Sequence, residues 1–476
     1  EPYRRQRQMC IRDRNYTGSN SVNGLGVIGT AYGEFGNINI NNLTLNGNKK
    51  VSRVGFISKS YVNDYRDINL SGVTISGTNR LGSLYGEGDT YYLTTIDVVD
   101  TIVSGTGDYV GGLIGYKHDN SSQKHFYITA SNVNVTTTGG NYSGIVYGYG
   151  AALNVTVKDS SVSGNNLVGG VGGRQDTDSV SQNRLTNVNV SGKGSQIGGI
   201  YGYHDSLYNS SIKDSTISGG TSQVGGISGY GGWSIYNCSV INTIISSPNA
   251  TSVGGIEGLD WDGNRYNNYV YNTSIEGKSY VGGLVGNKNG TPASRHYDNF
   301  INASIKANDT GAGGILGYYQ NNLEEENVRR VRLDGNIIAS STITSKDATG
   351  GLIGAMYKPT DSSLNLFHDN LIAVSITTTG TNKSNGIIVG TSDLYIKGVS
   401  PSYVYNQSKI NNLLAQNIVS GLNESITFVS AANMKNQTLM KSYVGQSSNY
   451  NYQQVEKGYY PYNGAQDASP VSYTHL

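Results

Sequence analysis

The chain keeps rewriting one short stretch, Val110-Gly111-Gly112-Leu113-Ile114-Gly115-Tyr116. Close copies stand at Ile197-Gly198-Gly199-Ile200-Tyr201-Gly202-Tyr203, Val224-Gly225-Gly226-Ile227-Ser228-Gly229-Tyr230, Val281-Gly282-Gly283-Leu284-Val285-Gly286 and Ala312-Gly313-Gly314-Ile315-Leu316-Gly317-Tyr318. Weaker ones sit at Val54-Gly55, Leu81-Gly82, Ser143-Gly144, Val168-Gly169, Val253-Gly254, Gly350-Gly351 and Asn385-Gly386. A repeat of about 29 residues means stacked units that each bury their apolar face on a neighbour.

The slots of the repeat predict directions. The position of Leu113 is aliphatic in Ile200, Ile227, Ile256, Leu284, Ile315 and Leu352, so it is expected in a core. The next position holds Ile114, Tyr201, Ser228, Glu257 and Gly172. A carboxylate is costly to bury without a partner, so this slot is expected to face water. Val110 and Leu113, three residues apart, would lie on opposite faces of a regular strand. The diglycine is therefore expected to turn a corner, using backbone angles closed to other residues.

Between copies run short β-branched segments with alternation, such as Ile38-Asn39-Ile40, Ile68-Asn69-Leu70, Val133-Asn134-Val135, Val155-Thr156-Val157 and Val188-Asn189-Val190. Bounded by Gly, Asn and Ser, these read as strands, and nothing between them has helical period. The expected fold is an all-β, right-handed parallel β-helix, a β-solenoid with about 29 residues per coil, over residues 20–390. Asn132, Asn187, Asn209, Asn237 and Asn370 are expected at coil edges, where Asn accepts left-handed angles and bonds the neighbouring coil. Residues 391–463 are expected to cap the open end, with a strand and turn at Ser402 to Asn411 and a short helix from Ala431 to Tyr443. The stretch Leu323 to Arg330, where Glu325–Arg329 and Glu326–Arg330 have helical pair spacing, is expected to be a solvated loop.

Both ends look foreign to the repeat. Residues 1–19, with Arg4-Arg5-Gln6-Arg7, and 464–476, closing Ser472-Tyr473-Thr474-His475-Leu476, resemble translated sequencing linkers and are expected to lie outside the fold. The chain starts at Glu1 rather than Met, as expected of a fragment. A net charge of +1 gives no electrostatic case for nucleic acid or an anionic membrane, and no apolar run is long enough to span a bilayer. Tyr at 37 against Phe at 6 points to aromatic slots that are half exposed, with the phenol wet. Cys10 and Cys238 are too few for a disulfide framework.

Candidate chemistry is sparse. No two of the six histidines have metal-ligand spacing, so no metal and no cofactor is expected. His118-Asp119, His204-Asp205 and His368-Asp369 repeat a base–orienter dipeptide, yet the first two fall three coils apart and are expected to be loop residues. Gly24-Leu25-Gly26-Val27-Ile28-Gly29 has the letters of a dinucleotide fingerprint, but no helix is expected after it. Asp260-Trp261-Asp262-Gly263-Asn264 opens like a calcium loop whose closing Glu is replaced by Tyr271, so a turn is expected. A tyrosine follows the last glycine at Tyr116, Tyr149, Tyr203, Tyr230 and Tyr318. Stacked with Trp233, Tyr203 and Tyr230 would form an aromatic stripe, a candidate contact for a glycan.

The repeats resemble the GLUG motif of bacterial surface proteins, which Gly112-Leu113-Ile114-Gly115 matches directly. The arrangement is also similar to the N-terminal, non-catalytic region of the IgA-protease-like zinc metallopeptidases of Gram-positive bacteria. There such repeats end in segments like Tyr403-Val404-Tyr405-Asn406-Gln407-Ser408-Lys409-Ile410-Asn411 and Glu456-Lys457-Gly458-Tyr459-Tyr460-Pro461. The His-Glu-x-x-His helix of that family is absent from this sequence, so zinc binding and hydrolysis are carried onto no residue. The resemblance implies a non-catalytic stalk or adhesion module, extracellular or at the bacterial surface, with a host glycan or extracellular protein as partner. Two alternatives are an accessory region of a secreted peptidase whose catalytic domain lies downstream, and a β-helix enzyme acting on polysaccharide.

Overall fold

A computed structural model of the chain describes residues 9–17, 24–48, 50–118, 126–151, 153–176, 180–289, 294–320, 332–357, 367–381, 384–392, 402–415, 426–434, 450–455 and 458–463. The fold is the expected β-solenoid: short strands joined by turns, with nearly all pairings parallel and offset by one coil. The described helix is a single turn, Ala431–Met434. No helix among the described residues is long and apolar enough to cross a membrane. The chain divides into two compact units, Glu1–Ser206 with Ser210–Gly220, and Leu207–Asn209 with Thr221–Leu476.

In the first unit, register puts like on like. One column runs Ile40, Leu70, Val98, Ala130, Val157, Leu185, Ile212, and another Leu45, Ile75, Val103, Val135, Val162, Val190, Ile217. All are buried, while flanking polar residues such as Asn41, Lys158 and Asn189 are partly or fully exposed. The repeat stretch supplies a third column, Leu25, Val54, Leu81, Val110, Ser143, Val168, Ile197. Leu25 thus belongs to a copy of the repeat. The chain then continues as the strand Ile28–Asn46 and not as a helix, which disposes of the dinucleotide fingerprint. Met9–Thr17, inside the stretch set apart on sequence, pairs in parallel with that strand from Met9↔Ile38 to Thr17↔Asn46.

The second unit is built the same way. Its columns include Val240, Val270, Ile301, Ile338, Ile372, Val404 and Ile245, Ile275, Ile305, Ile343, Ile376, Ile410. Parallel pairing therefore reaches into the segment expected to cap the coil: Ser402–Tyr405 adds to Leu371–Thr378, and Ile426–Val429 adds to Ser402–Tyr405. Tyr450–Val455 and Gly458–Asn463 pair with each other as an antiparallel hairpin. The expected loop at Leu323 to Arg330, and the expected helix beyond Met434, lie outside the described residues.

Two readings of the repeat need correction. The diglycine does not supply unusual backbone angles: none of Gly111, Gly112, Gly198, Gly199, Gly225 or Gly226 has a positive φ. The left-handed residue is the one before the apolar slot, as in Arg53, Arg80, Tyr109, Tyr142, Leu167 and Gln196, then Gln223, Ser252 and Tyr280. Glycine is required by space. The strand segments on either side of the turn fold face to face at backbone contact, so a Cβ on Gly111 would fall inside Ile114 O and lie 2.7 Å from Gly148 N. A Cβ on Gly225 would collide with Ser228 O and sit 2.7 Å from Glu257 Cα.

Nor does the slot after Leu113 face water. Ile114, Tyr201, Ser228 and Glu257 are all fully buried. Leu113 and Ile114 are thus both buried, and Ile114 shares its column with Tyr85 and Tyr147. Glu257 is buried because it has a cation to meet, the guanidinium of Arg265.

The asparagines behave as expected. Asn132, Asn187, Asn209 and Asn237 have φ near +50°, and Asn132 Nδ2 donates to Asp100, Asn187 Nδ2 to Asp159 and Asn237 Nδ2 to Asn209. Asn370 belongs instead to a buried ladder. The backbone N–H and Nδ2 of Asn268 donate to Asn299 Oδ1 at 3.0 and 3.1 Å, those of Asn299 to Asn336 Oδ1, and those of Asn336 to Asn370 Oδ1.

The steric role of the diglycine is testable by urea denaturation. Gly225→Ala should lower stability by about 2–3 kcal/mol, as overpacking against backbone does. Gly29→Ala, where a Cβ meets nothing within 4 Å, should change it by less than about 0.5 kcal/mol. Equal effects of the two would contradict the close-approach account.

Candidate functional site

The inner column of the small sheet in the second unit reads Leu207, Ile235, Arg265, His296, Leu333, Phe367. Two ionisable residues thus occupy rungs that are otherwise apolar. Facing them, the column Gly231, Asp260, Lys288, Tyr319, Met356 contributes a second pair, and Glu257 a fifth group. Glu257, Asp260, Arg265, Lys288 and His296 all have zero solvent exposure.

Their geometry is that of a closed charge network. Arg265 Nε and Nη2 approach Glu257 Oε2 at 2.6 and 2.5 Å, and Nη2 also reaches Asp260 Oδ1 at 3.1 Å. Lys288 Nζ lies 3.5 Å from the same oxygen, and His296 Nε2 stands 3.1 Å from Asp260 Oδ2. Burial pushes the Asp260 carboxyl up, but Arg265, Lys288 and the His296 contact outweigh it and hold it well below the ordinary carboxylate range. Burial likewise opposes the Arg265 cation, and Asp260 with Glu257 more than restores it. For His296 burial wins and lowers its pKa, so the ring is neutral and two carboxylates balance two cations.

Arg265 Nη1 and Lys288 Nζ also reach outward to backbone. Arg265 Nη1 donates to Trp233 O and to Asp262 O, both at 2.8 Å, and Lys288 Nζ donates to Trp261 O at 2.8 Å. Trp233 and Trp261 follow the strands Ser228–Gly231 and Glu257–Asp260, and their side chains are 61% and 47% exposed. Asp262 and Gly263 close the second loop, with Asp262 Oδ1 accepting from Gly263 N and Gly263 at φ +93°. A Cβ on Gly263 would lie 2.6 Å from Trp233 C, so the two loops touch through backbone. The calcium-loop letters are therefore a turn, as expected, with Asp260 committed inward. Among the described residues no group of His, Cys, Asp or Glu could hold a metal ion.

Beside these loops an aromatic ladder runs up the unit. Tyr208, Tyr236, Tyr266 and Tyr297 stack at 5.0, 4.8 and 4.8 Å with rings within 7° of parallel. Their spacing of 28, 30 and 31 residues was available in the sequence, but it tracks the small sheet and not the glycine repeat.

The residues singled out on sequence are distributed otherwise. Tyr203 in the first unit donates its hydroxyl to Asp205 at 3.2 Å and packs under Arg174 at 4.6 Å. Burial, then Asp205, pushes its pKa up to about 12. Tyr116 and Tyr149 cluster with Tyr109 and Tyr142 in that unit. Tyr230, in the second unit, shares its rung with Leu259. Tyr318 stacks on Tyr280. His118 Nε2 meets Glu87 Oε1 at 2.8 Å, and Asp119 lies outside the described residues. His204 ends the strand Tyr201–His204 fully buried and is not the loop residue expected, while His368, described in its backbone alone, ends the strand Phe367–His368 and Asp369 follows at φ +52°.

Comparison of the chain with family models, with curated proteins and with solved structures gives no match in any of the three.

The charge network makes an acid-stability prediction. Asp260 has a folded pKa below its unfolded value, so the stabilisation is complete above about pH 4 and is lost as pH falls further. His296 also binds its proton more readily unfolded, so a shallower loss begins near about pH 6.5. Thermal melts from neutral pH down to about pH 3 should show both limbs. Asp260→Asn should cost about 3–5 kcal/mol at neutral pH, by leaving cations unpaired in the core, and should flatten the lower limb. A variant curve running parallel to wild type below about pH 4 would assign that limb to other groups.

Proposed function

We propose that the chain is a non-catalytic β-solenoid module of a bacterial cell-surface or secreted protein, acting as a stalk and adhesion element. The observation that carries this reading is where the chemistry sits. The second unit's buried ionic cluster, Asp260, Arg265 and His296 with Glu257 and Lys288, is sealed from solvent and balanced internally. The unit's outward faces instead carry the exposed asparagine pairs Asn209–Asn237 and Asn242–Asn272, a tyrosine stack and exposed indoles, which recognise partners through surface and not through proton transfer. The GLUG-like Gly112-Leu113-Ile114-Gly115 and its copies support the assignment to the bacterial exterior. A second reading, the accessory region of an IgA-protease-like zinc metallopeptidase, is favoured by the segment from Tyr403 to Asn411, which adds its strand directly to the last coils.

Sequencing the gene beyond both ends of the chain decides between them. A secretion signal upstream together with a wall-anchoring segment downstream is expected of the adhesion module. A downstream His-Glu-x-x-His moves the chain to the peptidase, and the absence of any export signal overturns both.

A further inference from the structure

The two indoles are held in a way their exposure does not require. An exposed turn can be left to fray, yet the carbonyls of Trp233, Trp261 and Asp262 are each bonded by a cation buried at zero exposure. Burying such cations is costly before their partners compensate, and an apolar rung such as Ile235 or Leu333 would fill the same column without that cost. What the network adds is fixed geometry for two adjacent loops, reinforced where Gly263 touches the backbone of Trp233.

We propose that Trp233 and Trp261 form a carbohydrate-binding platform for pyranose rings, pre-organised from beneath by Arg265 and Lys288. The inference rests on the surface-module reading and gives its adhesive part a ligand class. An indole presents a negative face, and the axial C–H groups of a pyranose are an apolar, weakly positive complement to it. The tyrosine ladder does not serve in the same manner, because each inner ring has both faces covered by its neighbours. Ser234, Asp262 and Asn264 adjoin the indoles in sequence and are partly exposed; each side chain accepts one backbone N–H, which fixes its oxygen and leaves further hydrogen-bonding capacity for the hydroxyl rim of a sugar. Neither loop carries an aliphatic side chain to extend the apolar area, as a protein partner would need. Rigid loops suit a weakly interacting ligand, because little ordering entropy is then lost on binding.

These are the sequence's only tryptophans, so intrinsic indole emission reports on this place alone. The probes are cello-, chito- and galacto-oligosaccharides titrated into the full chain. At least one series should shift the emission saturably. Trp233→Ala and Trp261→Ala, read by calorimetry with unchanged circular dichroism, should each weaken that sugar about tenfold, a loss of about 1.4 kcal/mol. Trp261→Phe should retain most of the affinity. Lys288→Met, which leaves Asp260 with Arg265 and His296, should weaken binding while both indoles remain. Unchanged affinity in the Trp233→Ala, Trp261→Ala double variant overturns the platform, and so does a flat emission response to all three series. Either result leaves the surface-module reading standing, since that is decided by the flanking gene sequence.

Discussion

Within each unit the described coils are hydrogen-bonded to their neighbours in parallel register, so each side chain must live about 4.8 Å from its counterparts above and below. That requirement selects residues that tolerate their own company. Isoleucine stacks on isoleucine at Ile245, Ile275, Ile305, Ile343 and Ile376, amide on amide from Asn268 to Asn370, and phenol on phenol from Tyr208 to Tyr297. Charges do not tolerate it. In the column of Asp260 the next rung is Lys288, of opposite sign, and in the column of Arg265 the next is His296, which burial keeps neutral. In this network the ionisable groups follow one another in an order that cancels.

The same rule governs the diglycine. Where the coil doubles back, two strand segments meet with no side chains between them, and a methyl group at Gly111 or Gly225 has nowhere to go. Handedness at the corner is met two residues before the glycine, by residues as different as Arg80, Tyr109 and Leu167. Conformational freedom and lack of bulk are separate properties of glycine, and this repeat uses the second.

Much of the architecture was legible in the residue pattern because a ladder repeats its information. The aliphatic slot of Leu113, the alternating Val188-Asn189-Val190 and the left-handed Asn187 each result from local rules that every coil restates. The charge network was not legible, because it occurs once and its parts are far apart in sequence. Glu257 looked solvent-bound since nothing beside it is cationic; its partner Arg265 is eight residues on, and Lys288 and His296 belong to the next coil. The candidate platform was half visible. Trp233 stood out as aromatic, but the fixing of its carbonyl by Arg265 depends on a buried contact that no spacing announces.

Because partners are matched rung by rung, change in length has a preferred quantum. Loss of a single residue from Tyr269–Gly282 would set the inward faces of its four neighbouring strand segments out of phase, whereas gain or loss of an entire coil leaves each surviving rung with a mate. The intervals between Val281, Ala312 and Thr349, 31 and 37 residues, show where extra residues are absorbed outside the ladder. Genes for chains of this kind are therefore expected to diversify by duplicating and excising whole repeats, with point insertions confined to the connections.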